Sequence, residues 1–437
     1  MPDTSLTEQM RADWNERAQE DAFYYVAFGR RGQDAEEFLL TGADVVRSLE
    51  AELARLPAGD KRQRRALEIG CGPGRLMLPM SWNFGEIHGV DVSDQMIRLA
   101  VRTLHDIPNA FPRATRGSDL SVFPAEFFDF VYSYAVFQHI PSREVVFNYL
   151  QESRRVLKTG GILRCQFNGL PKSAKEYTTW AGVRIGAGEI AEFACDNDMQ
   201  LLALEGVSTQ YMWTTLRKQP EGWFAGVAAN RPAPAEPATK IRNVCNSHSG
   251  EPAVPARGRF ASVAIWIENL PADCDLNQIN VTADGLEAAP VYIGPPVFDG
   301  LVQVNALLPA ELRTGLVPVE LYWCGEPLVG PTWIHVISPG PPVPRIVSLT
   351  DGVNLLSGPV ILSRSVKVDI EELTDPARFA VSIDGAPLND LDVFCTDPRN
   401  ERYEINFELP AGVAPGPHQV EASVGRRRFP PVPIDVK

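Results

Sequence analysis

The chain has 437 residues, 44% hydrophobic and 22% charged, a size and composition that fit two or three globular domains. Its formal net charge of −14 disfavours a nucleic-acid partner, because such affinity rests on neutralising phosphates. Seven scattered cysteines without CxxC or Cys/His spacing argue against a disulfide framework or a metal site and fit a reducing cytoplasm. No apolar run reaches the ~20 residues of a membrane span, and the polar start lacks the apolar core of a secretory signal.

The first element is an amphipathic helix over 13–28, with Trp14, Ala18, Ala22 and Tyr25 near one face. A short buried strand follows at 66–69 and runs into Gly70-Cys71-Gly72-Pro73-Gly74, after which Arg75 opens a helix. Glycines let a ligand approach the backbone closely. The spacing is G-x-G-x-G, not the G-x-G-x-x-G of a dinucleotide site. Pro73 removes a backbone N–H that a pyrophosphate would need, and Glu68 would repel one. The acid suits a ligand that carries an ammonium and a sulfonium and no phosphate, as S-adenosylmethionine (SAM) does.

A second strand ends at Asp91, where a carboxylate can accept from both ribose hydroxyls, and Ser93 is placed to cap the next helix. Asp119 is expected at the tip of strand 3, facing an adenine amino group. Strand 4 and a turn follow in "FFDFVYSYAVFQHIP". A helix, a Thr-Gly-Gly turn and strand 5 complete the pattern, and "TQYMWTTLRK" reads as the last antiparallel strand, with Tyr211 and Trp213 assigned to the core.

Five motifs stand in order: "LEIGCGPGR", "GVDVS", "GSDLSVFP", "FDFVYSYAVFQHI" and "RVLKTGG". On these, residues 62–168 resemble the class I SAM-dependent methyltransferases of the small-molecule branch often labelled type 11. The resemblance implies a Rossmann-like α/β domain with a mostly parallel seven-stranded sheet over 1–230 and SAM as cofactor. It places the backbone of Gly70, Cys71 and Gly72 along the methionine part, Asp91 at the ribose, Asp119 and Leu120 at the adenine, and Tyr134 beside the methionine; Glu68, Gly74, Val92 and Met96 complete the expected cofactor-binding set. Thr159 stands where the family usually has proline. His139 is either a catalytic base beside Gln138 or a structural histidine at a helix entry. Tyr24 or Tyr25 either closes the cofactor pocket or packs on the sheet. Lys172, Lys175, Tyr177, Trp180 and Arg184, after strand 5, are candidate substrate contacts. The implied reaction is methylation of an oxygen or nitrogen on a small or glycan-like polar acceptor. The rival readings are a SAM-binding protein without catalysis and a scaffold acting through its C-terminal part.

Beyond residue 230 lie 27 of the 37 prolines. A Pro/Ala-rich linker is expected over 231–257, then two β-sandwich modules of immunoglobulin-like type at 258–340 and 341–437. The modules are copies of each other: "SVAIWIENL" answers "SVKVDIEEL" at an offset of 103, "INVTADG" answers "FAVSIDG" at 100, and "VNALLPAEL" answers "INFELPAGV" at 101. Trp266, Tyr292, Trp323 and Trp333 form either module cores or a binding face for a protein, a glycan or a second copy. Residues 1–230 are expected to fold alone.

Overall fold

The structure, a computed structural model, describes residues 4–27, 32–172, 177–229, 238–352 and 358–437. It divides into one unit of Met1–Asp13 with Ala43–Pro339 and another of Trp14–Gly42 with Gly340–Lys437. No helix among the described residues is long and apolar enough to cross a membrane.

The N-terminal helices are Thr4–Ala27 (α1), Ala35–Arg47 (α2) and Glu50–Leu53 (α3). The backbone leaves helical geometry at Asp21, so the expected N-terminal helix is two pieces joined at a kink. In the first unit, Arg65–Ile69 (β1), Glu86–Asp91 (β2), Ala110–Ala114 (β3), Phe128–Ser133 (β4) and Leu157–Phe167 (β5) lie parallel in the order β3-β2-β1-β4-β5. Met199–Glu205 (β6) and Met212–Lys218 (β7) extend the sheet as β5-β7-β6, with β7 antiparallel to both neighbours. This is the mostly parallel seven-stranded sheet the sequence implies. β1 and β4 are buried on nearly every residue because helices cover both faces of a parallel sheet. Helices Met77–Met80 (α4), Asp94–Thr103 (α5), Arg143–Val156 (α6), Ala187–Asp196 (α7) and Trp223–Ala229 (α8) complete the domain. Ser93 caps α5 as expected, accepting from the Met96 N–H at 3.1 Å. The strand order reverses between β1 and β4, which opens a crevice at their C-terminal ends.

The sheet does not stop at β6. The residues that follow form Lys240–Asn246 (β8), Ala253–Pro255 (β9), Ser262–Glu268 (β10), Ile279–Ala283 (β11), Leu286–Ile293 (β12), Val302–Leu307 (β13), Gly315–Trp323 (β14) and Glu326–Ile337 (β15). β12 pairs antiparallel with β6 at Tyr292 and Ala203. Beside that pair, the Asp275 carboxylate accepts the Leu201 N–H, and the Leu276 N–H donates to the Leu201 carbonyl at 2.9 Å. The Gln200 amide donates to the carbonyls of Ala272 and Cys274 at 2.8 and 2.7 Å. One apolar core runs from Leu67 and Phe130 through Leu201 and Met212 to Val263, Ile293 and Val304.

Two sequence expectations change here. The linker assigned to 231–257 contains β8 and β9, so the first module begins by Lys240 and not at 258; residues 230–237 lie outside the described residues. Residues 1–230 are not a closed folding unit, because their last sheet edge and part of their core belong to the module.

In the second unit the second module forms two sheets. Arg345–Asp351 (β16), Val360–Ile361 (β17), Ser365–Glu371 (β18), Phe379–Ile383 (β19), Ala386–Leu388 (β20), Asp392–Asp397 (β21), Arg402–Glu408 (β22), Gly416–Val424 (β23), Arg427–Arg428 (β24) and Val432–Val436 (β25) order as β16-β18-β22-β21 and β17-β25-β23-β19-β20, with β24 on β23. Their core is separate: Val366, Val368, Ile370, Ile405 and Phe407 pack with Val381, Ile383, Val420 and Ile434.

Candidate active site

The glycine loop leaves β1 in a conformation that needs glycine. Gly70 has φ +74°, and a Cβ there would lie 2.3 Å from Val136. Gly74 has φ +87° and would meet Leu104 at 2.9 Å. The loop is tied to β2: the Gly70 N–H donates to the Val90 carbonyl at 2.7 Å, and the Gly72 N–H donates to the Asp91 carboxylate at 2.9 Å. The other Asp91 oxygen accepts the Ser93 N–H at 2.8 Å. Burial pushes the Asp91 carboxyl up to about 6.

Glu68 is more strongly perturbed. Burial raises it to about 8, although Tyr132 Oη donates to it at 2.8 Å and the Arg75 guanidinium lowers it. Burial also pulls Arg75 below its ordinary value. Its guanidinium lies 5.6 Å from the Tyr134 ring centroid, and the Tyr134 ring is 5.7 Å from that of Trp213. Cys71 is buried, and burial pushes its thiol up, the opposite of what a nucleophile requires.

Met96 is buried and Val92 half-buried at the start of α5. Asp119 does not sit at the tip of β3. It lies in the loop beyond Ala114 and accepts from the Ser121 N–H and hydroxyl at 3.0 and 2.6 Å. That loop is fixed to α6: the Leu120 N–H donates to Glu152 at 3.2 Å, and Arg155 donates to the Leu120 carbonyl at 3.0 Å.

After β4, His139 is buried with Nδ1 2.8 Å from the Trp180 carbonyl and Nε2 3.3 Å from the Gln138 amide nitrogen. A carbonyl partner puts the hydrogen on Nδ1 and leaves Nε2 as an acceptor. Gln138 Oε1 is buried without a donor among the described residues. The segment after β5 is stitched to this turn by the Gly182 N–H on the Gln138 carbonyl at 2.7 Å and the Val183 N–H on the Ile140 carbonyl at 2.9 Å. Trp180 is 45% exposed and Tyr177 is partly buried against the core. Lys172 and Arg184 do not converge on this turn: Lys172 pairs with Glu189 at 3.6 Å, and Arg184 donates to the Pro171 carbonyl at 2.5 Å. Lys175 lies outside the described residues. Tyr24 and Tyr25 follow the α1 kink in the second unit, with Tyr25 donating to Glu20 at 2.6 Å.

Trp213 and Tyr211 are not core residues. Tyr211 is 45% exposed, and Trp213 is half-buried beside Tyr134. Tyr132, Arg75 and Arg164 were not singled out from the sequence. Arg164 carried a visible signal, a lone cation inside the apolar run of β5.

The donor set suits SAM. Carboxylates end β1 and β2, a buried cation lies between Glu68 and Tyr134, and an orphaned acceptor on Gln138 stands in the turn after β4. Residues 67–165 match the family model described as a methyltransferase domain. The chain is 32% identical over 140 residues to trans-aconitate 2-methyltransferase of Rhodopseudomonas palustris, covering 30% of this chain and 49% of that protein. It is 28% identical over 170 residues to the enzyme of the same name from Azoarcus sp., covering 36% and 62%. The chain thus spans about half to three fifths of the length of these relatives. Among solved structures it is similar to geranyl diphosphate C-methyltransferase from Streptomyces coelicolor, at 15% identity and TM-score 0.37, covering 50% of this chain and 100% of that one. Another is phosphoethanolamine N-methyltransferase 1 of Haemonchus contortus, at 13% identity and TM-score 0.39, covering 51% of each chain. Residues 67–165 thus carry a methyltransferase domain.

Proposed function

We propose that the whole chain is a SAM-dependent methyltransferase that acts on a small polar acceptor, with a carboxylic acid as the favoured class. The observation that carries the reading is the joint placement of Glu68 and Asp91 around a glycine loop whose Gly72 N–H is fixed to Asp91. Glu68 and Arg75 would hold the charged methionine part, Asp91 the ribose hydroxyls, and Asp119 and Leu120 the adenine. When bound, the cofactor supplies a methyl group on a sulfonium leaving group. The chain's share of the work is to align the acceptor with that methyl and keep water away.

Two observations favour a carboxylic acid. The curated relatives are named for methyl transfer to trans-aconitate. His139, the candidate base, is held by Trp180 and Gln138, and a carboxylate arrives deprotonated and needs no base. The two β modules are proposed as immunoglobulin-like sandwiches in a cytoplasmic protein.

The test is calorimetric titration of the full-length protein with SAM, with NAD as control. Micromolar SAM binding and no NAD binding are expected, followed by transfer of a labelled methyl group to trans-aconitate. Absence of SAM binding overturns the reading. SAM binding without transfer to any acid overturns the acceptor class and leaves the cofactor assignment standing.

A further inference from the structure

Register partners in a sheet share a face. One such row crosses the first unit's sheet: Glu68 opposite Tyr132, Tyr132 opposite Arg164, Arg164 opposite Thr215, Thr215 opposite Ala203, and Ala203 opposite Tyr292 of the first module. Charge is sorted along it. The end at β1 and β2 holds two carboxyl groups, Glu68 and Asp91, against one guanidinium, that of Arg75. The end at β5 to β7 holds Arg164 and Arg217, with Arg55 just after α3 close by, against Glu52 and Glu205. Three guanidiniums against two carboxylates leave one positive charge in excess there. A cationic cofactor fits the first end and an anionic acceptor the second.

Arg164 is the residue at the centre of that second end. Its guanidinium lies 4.7 Å from the Trp213 ring centroid, and Trp213 neighbours Tyr134. One Nη donates to Thr215 Oγ1 at 2.8 Å and the other to Glu205 at 3.0 Å, with Glu52 4.0 Å away. Its Nε is buried with no acceptor among the described residues. Behind it, Arg55 is buried against Glu52 and lies 5.2 Å from the Tyr292 ring centroid. Glu205 differs from the rest of the group in being 41% exposed. A buried guanidinium whose outer partner faces water is a carboxylate receptor already holding a carboxylate of its own chain.

We infer that Arg164 selects the acceptor: its guanidinium, laid on Trp213 beside Tyr134, takes a carboxylate of the acceptor in competition with Glu205. The inference rests on the methyltransferase reading above and deepens it. Tyr292 and Arg55 close the rear of the site, which gives the fused module a part in positioning Arg164.

The test uses the full-length protein saturated with S-adenosylhomocysteine and titrated with trans-aconitate, with citrate and the trimethyl ester of trans-aconitate as comparisons. Wild type binds both acids and not the neutral ester. Arg164→Gln weakens acid binding at least tenfold while its affinity for S-adenosylhomocysteine stays within twofold, and Arg164→Lys falls between. Glu205→Gln tightens acid binding several-fold because the competitor is gone. Unchanged acid binding in Arg164→Gln overturns the inference and leaves the methyltransferase reading intact. Should Arg164→Gln fail to fold, Glu205→Gln decides, and unchanged or weaker binding there overturns the inference. Wild type that binds S-adenosylhomocysteine but neither acid overturns the acceptor class and the inference together. Wild type that does not bind S-adenosylhomocysteine overturns the cofactor reading itself.

Discussion

The two β modules are copies of one sequence, yet one is fused to the methyltransferase sheet and the other keeps its own core. The offset between them drops from 103 to 100 between their first and second matching strands, so the first module carries three extra residues there. The extra length lies in 271–278, against 374–378 in the second module. It holds Asp273, Cys274, Asp275 and Leu276. Asp275 and Leu276 complete the hydrogen bonds of Leu201 on β6, and Asp273 accepts from the Trp223 indole at 2.9 Å. The strand registers agree here, and the residue at one position differs in the same sense. Tyr292 faces Asn305 in the first module, and Asp392 faces Asn406 in the second. An aromatic ring that packs on Arg55 thus corresponds to a charge that stays in water. A short insertion and a change at one edge position convert an independent module into the closing strand of an α/β sheet.

The largest effect should come from cutting between the two regions. Residues 1–230 alone expose the β6 edge and remove part of a continuous core, and an unpaired edge beside exposed apolar surface aggregates. That fragment is expected to elute as aggregate and to melt without cooperativity. Residues 1–339 keep that core whole and should elute as a soluble species, melt cooperatively and bind SAM. Size-exclusion chromatography and circular dichroism separate the outcomes, and a soluble, cooperative 1–230 fragment would show that the fused edge is ornamental.

Asp275 is the next handle on the joint. It is wholly buried, its carboxylate accepts the Leu201 and Asn277 N–H groups, and burial pushes it up to about 7 despite those bonds. Asp275→Ala should destabilise the first unit by about 3 kcal/mol, the scale of losing charge-assisted bonds and leaving buried N–H groups unpaired. The sign of the pH effect follows from linkage. The folded state holds a proton that the unfolded state releases near the ordinary carboxylate value, so this group's contribution falls as pH rises from about 4 to about 7 and is level above. Asp275→Asn should flatten the melting-temperature profile across that window. An unchanged slope would assign the dependence to other groups.

What the sequence disclosed and withheld divides along physical lines. The glycine loop, Glu68, Asp91 and the Ser93 cap were legible because each is a local requirement of backbone or charge. The duplication was legible because alternation repeats. The fusion was not, because it is made by backbone groups of Leu201 and Ala203, and a strand's backbone donors are the same whatever its side chains. The linker was misplaced for a related reason: prolines mark 231–237, but 240–246, which lacks clean alternation, is a strand that among the described residues pairs with β10 alone. Arg164 went unread because a lone arginine in a buried strand gains meaning only when Trp213 and Glu205, about 40 to 50 residues away, meet it.

Glu68 is the counterpart of Asp275, a carboxylate raised by burial for a ligand instead of for a joint. Held at about 8 in the free protein, it binds a proton at neutral pH. A ligand carrying an ammonium and a sulfonium should return it to the carboxylate, so SAM binding should release up to one proton between about pH 5 and 8. S-adenosylhomocysteine, which lacks the sulfonium charge, should release less. Titrations in buffers of different ionisation enthalpy read the number directly. Glu68→Gln should bind with no release in this window, and release that persists in that variant would place the proton on Asp91 or elsewhere.

The smallest effect is expected at His139. A general base that removes a proton from the acceptor contributes about a hundredfold or more to turnover, and its loss would abolish the acid limb of the pH–rate profile. His139 is instead held between the Trp180 carbonyl and the Gln138 amide, joining the turn after β4 to the segment after β5. Glutamine at this position keeps an N–H for the Trp180 carbonyl and cannot act as a base. His139→Gln should therefore keep turnover within about threefold of wild type, with the same pH profile, on whichever acceptor the labelled-methyl assay identifies. A loss of a hundredfold with unchanged SAM affinity would make His139 the base. It would also move the acceptor away from carboxylates, because only an acceptor that still holds its proton needs one removed.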